Sequence, residues 1–179
     1  MTPPTRDGVG DPDVFARLWT PHRMAYIRGE RSTVPDGQDP CPFCRAPTLP
    51  DGPGLMVARG RQAYVVLNLY PYNAGHLLVC PYRHVAEYTD LGRAEVAEIG
   101  ALTQRAMTVV RQVAGAQGFN VGMNQGSVAG AGIAAHLHQH VVPRWGGDTN
   151  FMPIIGSTRV LPELLDQTRV LLADAWAQP

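Results

Sequence analysis

Short apolar runs separated by turn residues predict strands in the middle of the chain. Between residues 54 and 81 the pattern predicts a strand, a tight turn at 59–62, and a longer strand that ends near Asn68. After a proline-containing loop it predicts a third strand over 76–80. A fourth strand is predicted over 119–124. The order of these strands in a sheet does not follow from the pattern.

Two longer segments have the three- and four-residue spacing of amphipathic helices. The first covers 90–114 and is stopped by Gly115, and the second covers 161–177. Strands precede and follow the first helix, so the element order predicts an α+β domain with an antiparallel sheet. The inward-facing positions predicted for the first helix are Val96, Ile99, Thr103, Ala106, Val110 and Val113.

The composition limits the classes of partner. A chain of 179 residues, 45% of them hydrophobic, fits one globular domain. Its 15 basic and 15 acidic residues cancel, so we expect no binding to nucleic acid or to an anionic membrane. No apolar run approaches the length of a membrane span. All the basic residues are arginine, which excludes Schiff-base chemistry and a Walker-type phosphate loop.

The amino-terminal segment, residues 1–14, is rich in Pro, Gly and Asp and is expected to be flexible. It lacks the basic and apolar regions of a signal peptide, so we expect a cytoplasmic protein. Residues 15–179 are expected to form a single domain.

Three of the six histidines stand at alternate positions in the segment HLHQHVV, which predicts a fifth strand. A strand has a period of two, so His136, His138 and His140 would share one face. They could be polar residues on a wet face, ligands of one metal ion, or a catalytic imidazole with two supporting rings. Chemistry favours the last interpretation, because a neutral imidazole is a nucleophile that can form a phosphoramidate.

The cysteine pair Cys41 and Cys44 has two interpretations of its own. A redox motif of this spacing is expected between a strand and a helix, whereas here a loop precedes it and Pro47 and Pro50 follow. As half of a zinc site, the pair needs two further ligands from elsewhere in the chain. We favour zinc.

Several segments together resemble the histidine-triad (HIT) family, and in particular its branch of dinucleoside polyphosphate phosphorylases. The resemblance runs from about residue 15 to 177 and implies a HIT-like α+β fold. That fold has an antiparallel sheet of about five strands and two main helices, in a homodimer whose sheets join. The segments that carry the resemblance are LWTPHRMAYI, CPFC, LNLYPYNAGHLLVCPYRHV, GFNVGMNQG, HLHQHVV and HVVPRWGGDTNFMPIIGSTRVLPELL.

The resemblance implies distinct catalytic roles for four residues. His138 matches the nucleophile that accepts a nucleoside monophosphate, and His140 the residue that binds the α-phosphate and assists the leaving group. His76 resembles a histidine that supports the triad, and Asn124 an amide that helps to place the nucleophile and the phosphate.

The resemblance also implies a substrate-binding set. Asn68 falls where relatives contact the ribose hydroxyls, with Leu67 and Leu69 beside the base. The glycine-bearing loop before the triad would present backbone N–H groups to phosphates. Relatives commonly have a serine at the end of that loop, and this chain has Gly130, Ala131 and Gly132.

The zinc-bearing members of the family complete their site with a histidine of a P-x-x-H segment and the first histidine of the triad. The resemblance therefore implies a structural zinc ion on Cys41, Cys44, His84 and His136, which ties the amino-terminal part of the domain to the triad.

The activity implied is nucleotidyl transfer from diadenosine tetraphosphate through a nucleotidyl-histidine. With phosphate as acceptor the products would be ATP and ADP, and with water ATP and AMP; the closeness of the resemblance favours phosphate. A metallohydrolase with all three histidines on metal, and a non-catalytic nucleotide-binding module, are the alternatives.

Overall fold

The computed structural model describes residues 39–148 and 164–178. The predicted flexible segment 1–14 lies outside the described residues, as does the part of the predicted domain over 15–38. The described residues contain five strands and two helices longer than one turn. The strands are β1 (Met56–Arg59), β2 (Ala63–Leu67), β3 (Leu77–Pro81), β4 (Gly118–Met123) and β5 (Gln139–Arg144); the helices are α1 (Pro42–Arg45), a single turn, α2 (Arg93–Ala114) and α3 (Leu165–Trp176).

The five strands form one antiparallel sheet in the order β1-β2-β3-β5-β4. Val66 pairs with Leu78, Leu78 with His140, and His140 with Gly122, so these four residues form one row across the sheet. The α+β class, the strand number and the antiparallel pairing agree with the sequence prediction.

The two faces of the sheet are covered differently. Alternate strand residues such as Val65, Val79 and Val141 pack against Ile99 of α2 and Leu172 of α3. The opposite face, called the outer face below, has a smaller apolar cluster of Met56, Tyr64, Val66, Leu78 and Cys80. Since His140 stands in the row of Val66 and Leu78, its side chain belongs to the outer face.

The turn between β1 and β2 is tied to α2 by one carboxylate. Glu98 accepts backbone N–H groups of Arg61 at 2.9 Å and Ala63 at 3.0 Å, and also that of Gln62. These bonds lower the pKa of Glu98, against the opposing effect of burial. The hairpin and the helix that supports the sheet are therefore fixed to each other.

The strand predicted over the histidines begins later than expected. β5 starts at Gln139, so His136 and His138 precede it. The reason is local: the N–H of Leu137 donates to Val85 O at 2.7 Å, outside the sheet ladder. The CPFC segment also differs from expectation, because it forms one helical turn despite the prolines that follow. None of the helices in the two described ranges has the length and apolarity to cross a membrane.

Candidate active site and metal centre

His136 is fully buried, and its two ring nitrogens face different groups. Nε2 lies 3.0 Å from the backbone oxygen of Pro81, which can only accept, so Nε2 carries the proton. Nδ1 is left with its lone pair and lies 3.4 Å from Cys41 Sγ and 3.5 Å from Cys44 Sγ. Burial lowers the pKa of His136, which keeps the ring neutral as a metal ligand requires.

The fourth member of this cluster is His84, whose Nδ1 lies 3.1 Å from Cys44 Sγ. The four ligand atoms of Cys41, Cys44, His84 and His136 all lie within 4.8 Å of one another. A tetrahedral zinc ion with bonds of about 2.0–2.3 Å holds its ligands at such separations. The structure thus brings together the four residues that the resemblance implied, from α1, the loop after β3 and the loop before β5.

The chemistry of the donors fits zinc. Two thiols and two imidazoles are a usual structural zinc set, and a carbonyl that orients a ligating imidazole is its usual support. Burial and the neighbouring thiol of Cys41 raise the pKa of Cys44 to about 12, so two thiolates here require a cation between them. The cluster could hold one zinc ion.

His138 is 7% exposed, and its ring is oriented by a hydrogen bond to the backbone two residues earlier. Its Nδ1 lies 2.8 Å from the backbone oxygen of His136, so Nδ1 carries the proton and Nε2 has the lone pair. Burial lowers the pKa of His138, and this neutral form is the one that can attack an electrophile. The peptide that orients His138 belongs to a residue of the zinc cluster.

Phe43, which stands between the two cysteines, packs on both of these rings. Its ring centroid lies 5.5 Å from that of His136 and 4.7 Å from that of His138. The Tyr64 hydroxyl donates to Phe43 O at 2.6 Å, which anchors α1 on the outer face of the sheet. Phe43 was not among the site residues predicted from the sequence, although its place inside the CPFC motif was a usable signal.

His140 belongs to a chain of hydrogen bonds that begins in the loop between β2 and β3. The N–H of Tyr72 donates to His76 Nδ1 at 3.0 Å, so the proton of His76 is on Nε2. That Nε2 lies 3.0 Å from His140 Nδ1 and donates to it, which leaves the proton of His140 on its own Nε2. His140 is therefore a donor through Nε2, as contact with an anionic oxygen requires. Tyr72 stacks on the His140 ring at 5.6 Å.

The predicted substrate-binding residues do not all face the site. Asn68 lies beside this chain, with its Nδ2 3.2 Å from His76 Nδ1, and Leu69 is 57% exposed. Leu67 is 1% exposed and packs in the helix-side core, so the expectation that it lies beside a base is wrong. The period of two puts Val66 on the outer face instead.

The remaining predicted residues surround the triad segment. Asn124 directly follows β4 and lines, with His140, an open groove on the outer face. Gly130 has a φ of 80°, a conformation that favours glycine and that ends a short helical turn over Ser127–Ala129. The two residues that follow it, Ala131 and Gly132, are half-buried and continue toward His136.

Gln139, the polar residue inside the triad motif, points to the opposite face of the sheet. Its Nε2 donates to Thr103 Oγ1 at 2.5 Å, and Thr103 Oγ1 donates in turn to Ile99 O at 2.7 Å. A polar side chain at this position is thus satisfied by α2 and takes no part in the site.

Comparison with known proteins agrees with this arrangement. Residues 52–147, more than half of the chain, match the model of the HIT domain family. The chain belongs to the HIT family. The AP-4-A phosphorylase of Mycobacterium tuberculosis is 52% identical over 177 residues, which cover 96% of this chain and 89% of that protein. A bifunctional bis(5′-adenosyl)-triphosphatase/adenylylsulfatase of Arabidopsis thaliana is 33% identical over 48% of this chain and 47% of that protein.

Solved HIT structures have the same fold. A zinc-bound histidine triad family protein of Mycobacterium smegmatis superposes with a TM-score of 0.60 at 29% identity, over 77% of this chain and 94% of that one. A hypothetical histidine triad nucleotide-binding protein of Sulfolobus tokodaii gives a TM-score of 0.62 at 25% identity, over 76% and 91% of the two chains.

Proposed function

We propose that this HIT protein is a dinucleoside polyphosphate phosphorylase, with His138 as its nucleophile. The observation that carries the proposal is the proton distribution of the triad segment. His138 Nε2 keeps its lone pair because Nδ1 donates to a backbone carbonyl, while His140 Nε2 bears a proton because its Nδ1 accepts from His76. A nucleophile and an N–H donor thus stand side by side, with ring centroids 5.1 Å apart.

The first step transfers a nucleotidyl group to the protein. The Nε2 lone pair of His138 attacks the α-phosphorus of diadenosine tetraphosphate, a P–N bond forms, and the P–O bond to the rest of the molecule breaks. The N–H of His140 stabilises the phosphoryl oxygens and the departing ATP, and Asn124 assists from the end of β4. Asn68 and Leu69 are proposed to contact the first nucleoside.

In the second step a phosphate oxygen attacks the same phosphorus from the side that the ATP left. The P–N bond breaks, ADP is released, and the lone pair returns to His138. The phosphorylase relative supports phosphate over water as acceptor. The backbone of residues 130–132 would hold the phosphate without the serine hydroxyl that relatives have.

The decisive experiment is incubation of the purified protein with diadenosine tetraphosphate with and without phosphate. We expect ATP and ADP with phosphate, and a strong fall in rate when phosphate is left out. ATP and AMP at a rate independent of phosphate would identify a hydrolase instead. A wild-type protein that traps no covalent nucleotide under either condition would be a binding module, and the proposal would fail.

The zinc ion, where bound, would supply structural cross-linking and no chemistry of the reaction. It would tie α1, with Phe43, to the loop that positions His138. A cytoplasmic location is part of the proposal, because the two cysteines must stay reduced to bind the metal.

We propose further that two copies join through β4. Among the described residues this strand is paired only by β5 and forms an edge of the sheet, where Val121 is 45% exposed. Sedimentation equilibrium should give a dimer for the wild type and weaker association for Val121→Lys, since a charge on an edge strand opposes pairing. Unchanged association of that variant would place the interface elsewhere.

A further inference from the structure

An open groove of about 440 Å³ lies on the outer face over β4 and β5. Its floor includes Gly122, which pairs with His140 and adds no side chain. The groove begins at His140 and Asn124 and extends along both strands to Arg144. From Gly122 to Gly118, the partner of Arg144, four residues span about 14 Å. Its volume is in the range of small-molecule sites.

The groove and the proposed first-nucleoside residues occupy different strand pairs of the same face. Asn68 and Leu69 follow β2, whereas the groove is built on β4 and β5 and neither of those residues lines it. His140 stands between the two regions, in β5 next to β3. The α-phosphorus of a substrate would lie beside His138 and His140. The nucleoside on that phosphorus then lies on the β2 side, and the leaving group can extend over β5 and β4.

The lining of the groove is polar but electrically balanced. Arg144 contacts both carboxylate oxygens of Asp148, at 2.6 and 2.8 Å, and its Nη1 donates to Asn120 Oδ1 at 2.9 Å. A guanidinium paired in this way is a poor anchor for another anion. The groove therefore does not favour a free phosphate or sulfate at its far end.

Two amides of the groove have donors to offer. Within residues 39–148 and 164–178, the Nδ2 of Asn120 and the side chain of Asn124 make no hydrogen bond. The ring of Tyr72 lines the groove near His140. An aromatic ring, a side-chain amide and a glycine floor suit a flat, neutral heterocycle with its sugar, because such a group stacks and accepts hydrogen bonds without needing a countercharge.

We infer that this groove binds the nucleoside of the leaving nucleotide, the second nucleoside of a dinucleoside polyphosphate, with Asn120 as a specificity-determining contact. The inference rests on the proposed function, because it needs a phosphorus centre attacked by His138. The groove would then distinguish substrates by their leaving group. A leaving group that carries a second nucleoside gains binding energy in the groove, and a small leaving group does not.

The test compares two substrates that deliver the same adenylyl group. Diadenosine tetraphosphate has a nucleotide as leaving group, and adenosine 5′-phosphorofluoridate has fluoride. We expect Asn120→Ala to lower the ratio of their kcat/KM values, dinucleotide over fluoridate, about five- to tenfold, the worth of one lost hydrogen bond. Asn120→Asp should lower it at least as far, since it keeps the acceptor for Arg144, removes the donors and adds a negative charge that opposes a polyphosphate leaving group.

The control is Gln112→Ala, an exposed amide on α2, which should leave the ratio unchanged. Equal loss on both substrates, or no change in the ratio for either Asn120 variant, would overturn the inference while leaving the proposed function intact. Turnover of the fluoridate also shows that each variant is folded. A wild type that is adenylylated by neither substrate would instead refute the proposed function.

Discussion

The two ends of the triad segment are held in different ways. At the His136 end the ring is fully buried, its Nε2 donates to a backbone carbonyl, and its Nδ1 faces two thiols. At the His140 end the ring is half-exposed on a groove, and another imidazole, that of His76, sets its proton. His136 and His140 carry their proton on Nε2 and His138 carries it on Nδ1, and the groups that face these nitrogens differ at each ring. The neighbour of one ring nitrogen decides what the other nitrogen can do.

Between these ends, His138 is the residue whose removal should have the largest effect. In His138→Ala we expect diadenosine tetraphosphate cleavage to fall by about 10³-fold or more, because no nucleophile remains. The zinc content should stay at the wild-type value, since His138 is not a member of the metal cluster. Metal analysis and the rate of covalent nucleotide formation check both statements. Loss of zinc together with activity would support the metallohydrolase alternative.

The His136 end of the triad segment can be disrupted by removing one of the zinc ligands. Cys44→Ser should lose zinc and lower the Tm by about 10 °C, which corresponds to about 3–5 kcal/mol for a domain of this size. Thermal unfolding with and without added zinc measures the effect. Cys80→Ala is the matched control, because Cys80 is buried on the outer face and is not a member of the cluster. This control should keep the metal, and equal zinc loss in both variants would disprove the assigned ligand set.

The His140 end of the triad segment can be disrupted without changing a zinc ligand, by removing the hydrogen bond from His76. His76→Phe keeps an aromatic ring but removes the donor to His140 Nδ1, so the proton of His140 is no longer directed to Nε2. We expect kcat to fall about 10–100-fold with little change in KM, as for other orienting partners. His76→Gln can still donate and should recover part of the rate. A rise in KM at unchanged kcat would show that His76 acts on substrate binding.

The smallest effect is expected from the loop that follows β5. Arg144, together with bonds from the backbone of Trp145 and from Asn73, lowers the pKa of Asp148 from 3.8 to about 2. A carboxyl with a depressed pKa in the folded state adds stability above about pH 4, and this contribution is lost as the pH falls toward 2. Urea unfolding at pH 6, 4 and 3 should show this loss in the wild type. In Arg144→Gln the same decline should be shallower, and an identical pH profile would contradict the assignment.

Much of the fold follows from periodicity, and the departures have local causes. The spacing of α2 and the hairpin before it are strong signals, because both pack one face on a core. The strand order could not be predicted, because the chain pattern does not show that β5, the last strand, lies between β3 and β4. The start of β5 was missed because the bond from Leu137 to Val85 is not encoded in the alternation.

The four residues of the metal cluster and the neighbours of the triad could be named from the sequence, but their geometry could not. Alternation put the histidines together, and the resemblance supplied His76, His84 and the cysteines. The ring tautomers depend on carbonyls of Pro81 and His136, which no motif contains. The position of Leu67 beside the base came from the resemblance, and the resemblance does not say which face of the strand a side chain takes. Leu67 ends β2 and packs in the helix-side core, whereas Val66 faces the outer side.

The positions of the zinc ligands in the sequence determine when the metal can bind during synthesis of the protein. Cys41 and His136 are separated by 95 positions in the chain, and the segment between them contains four of the five strands and all of α2. A ribosome must therefore synthesise four of the five strands before the fourth ligand emerges. Metal capture therefore comes late in synthesis, next to the emergence of β5, the strand that joins β3 to β4. A chain interrupted before residue 136 would leave its two thiols exposed to oxidation.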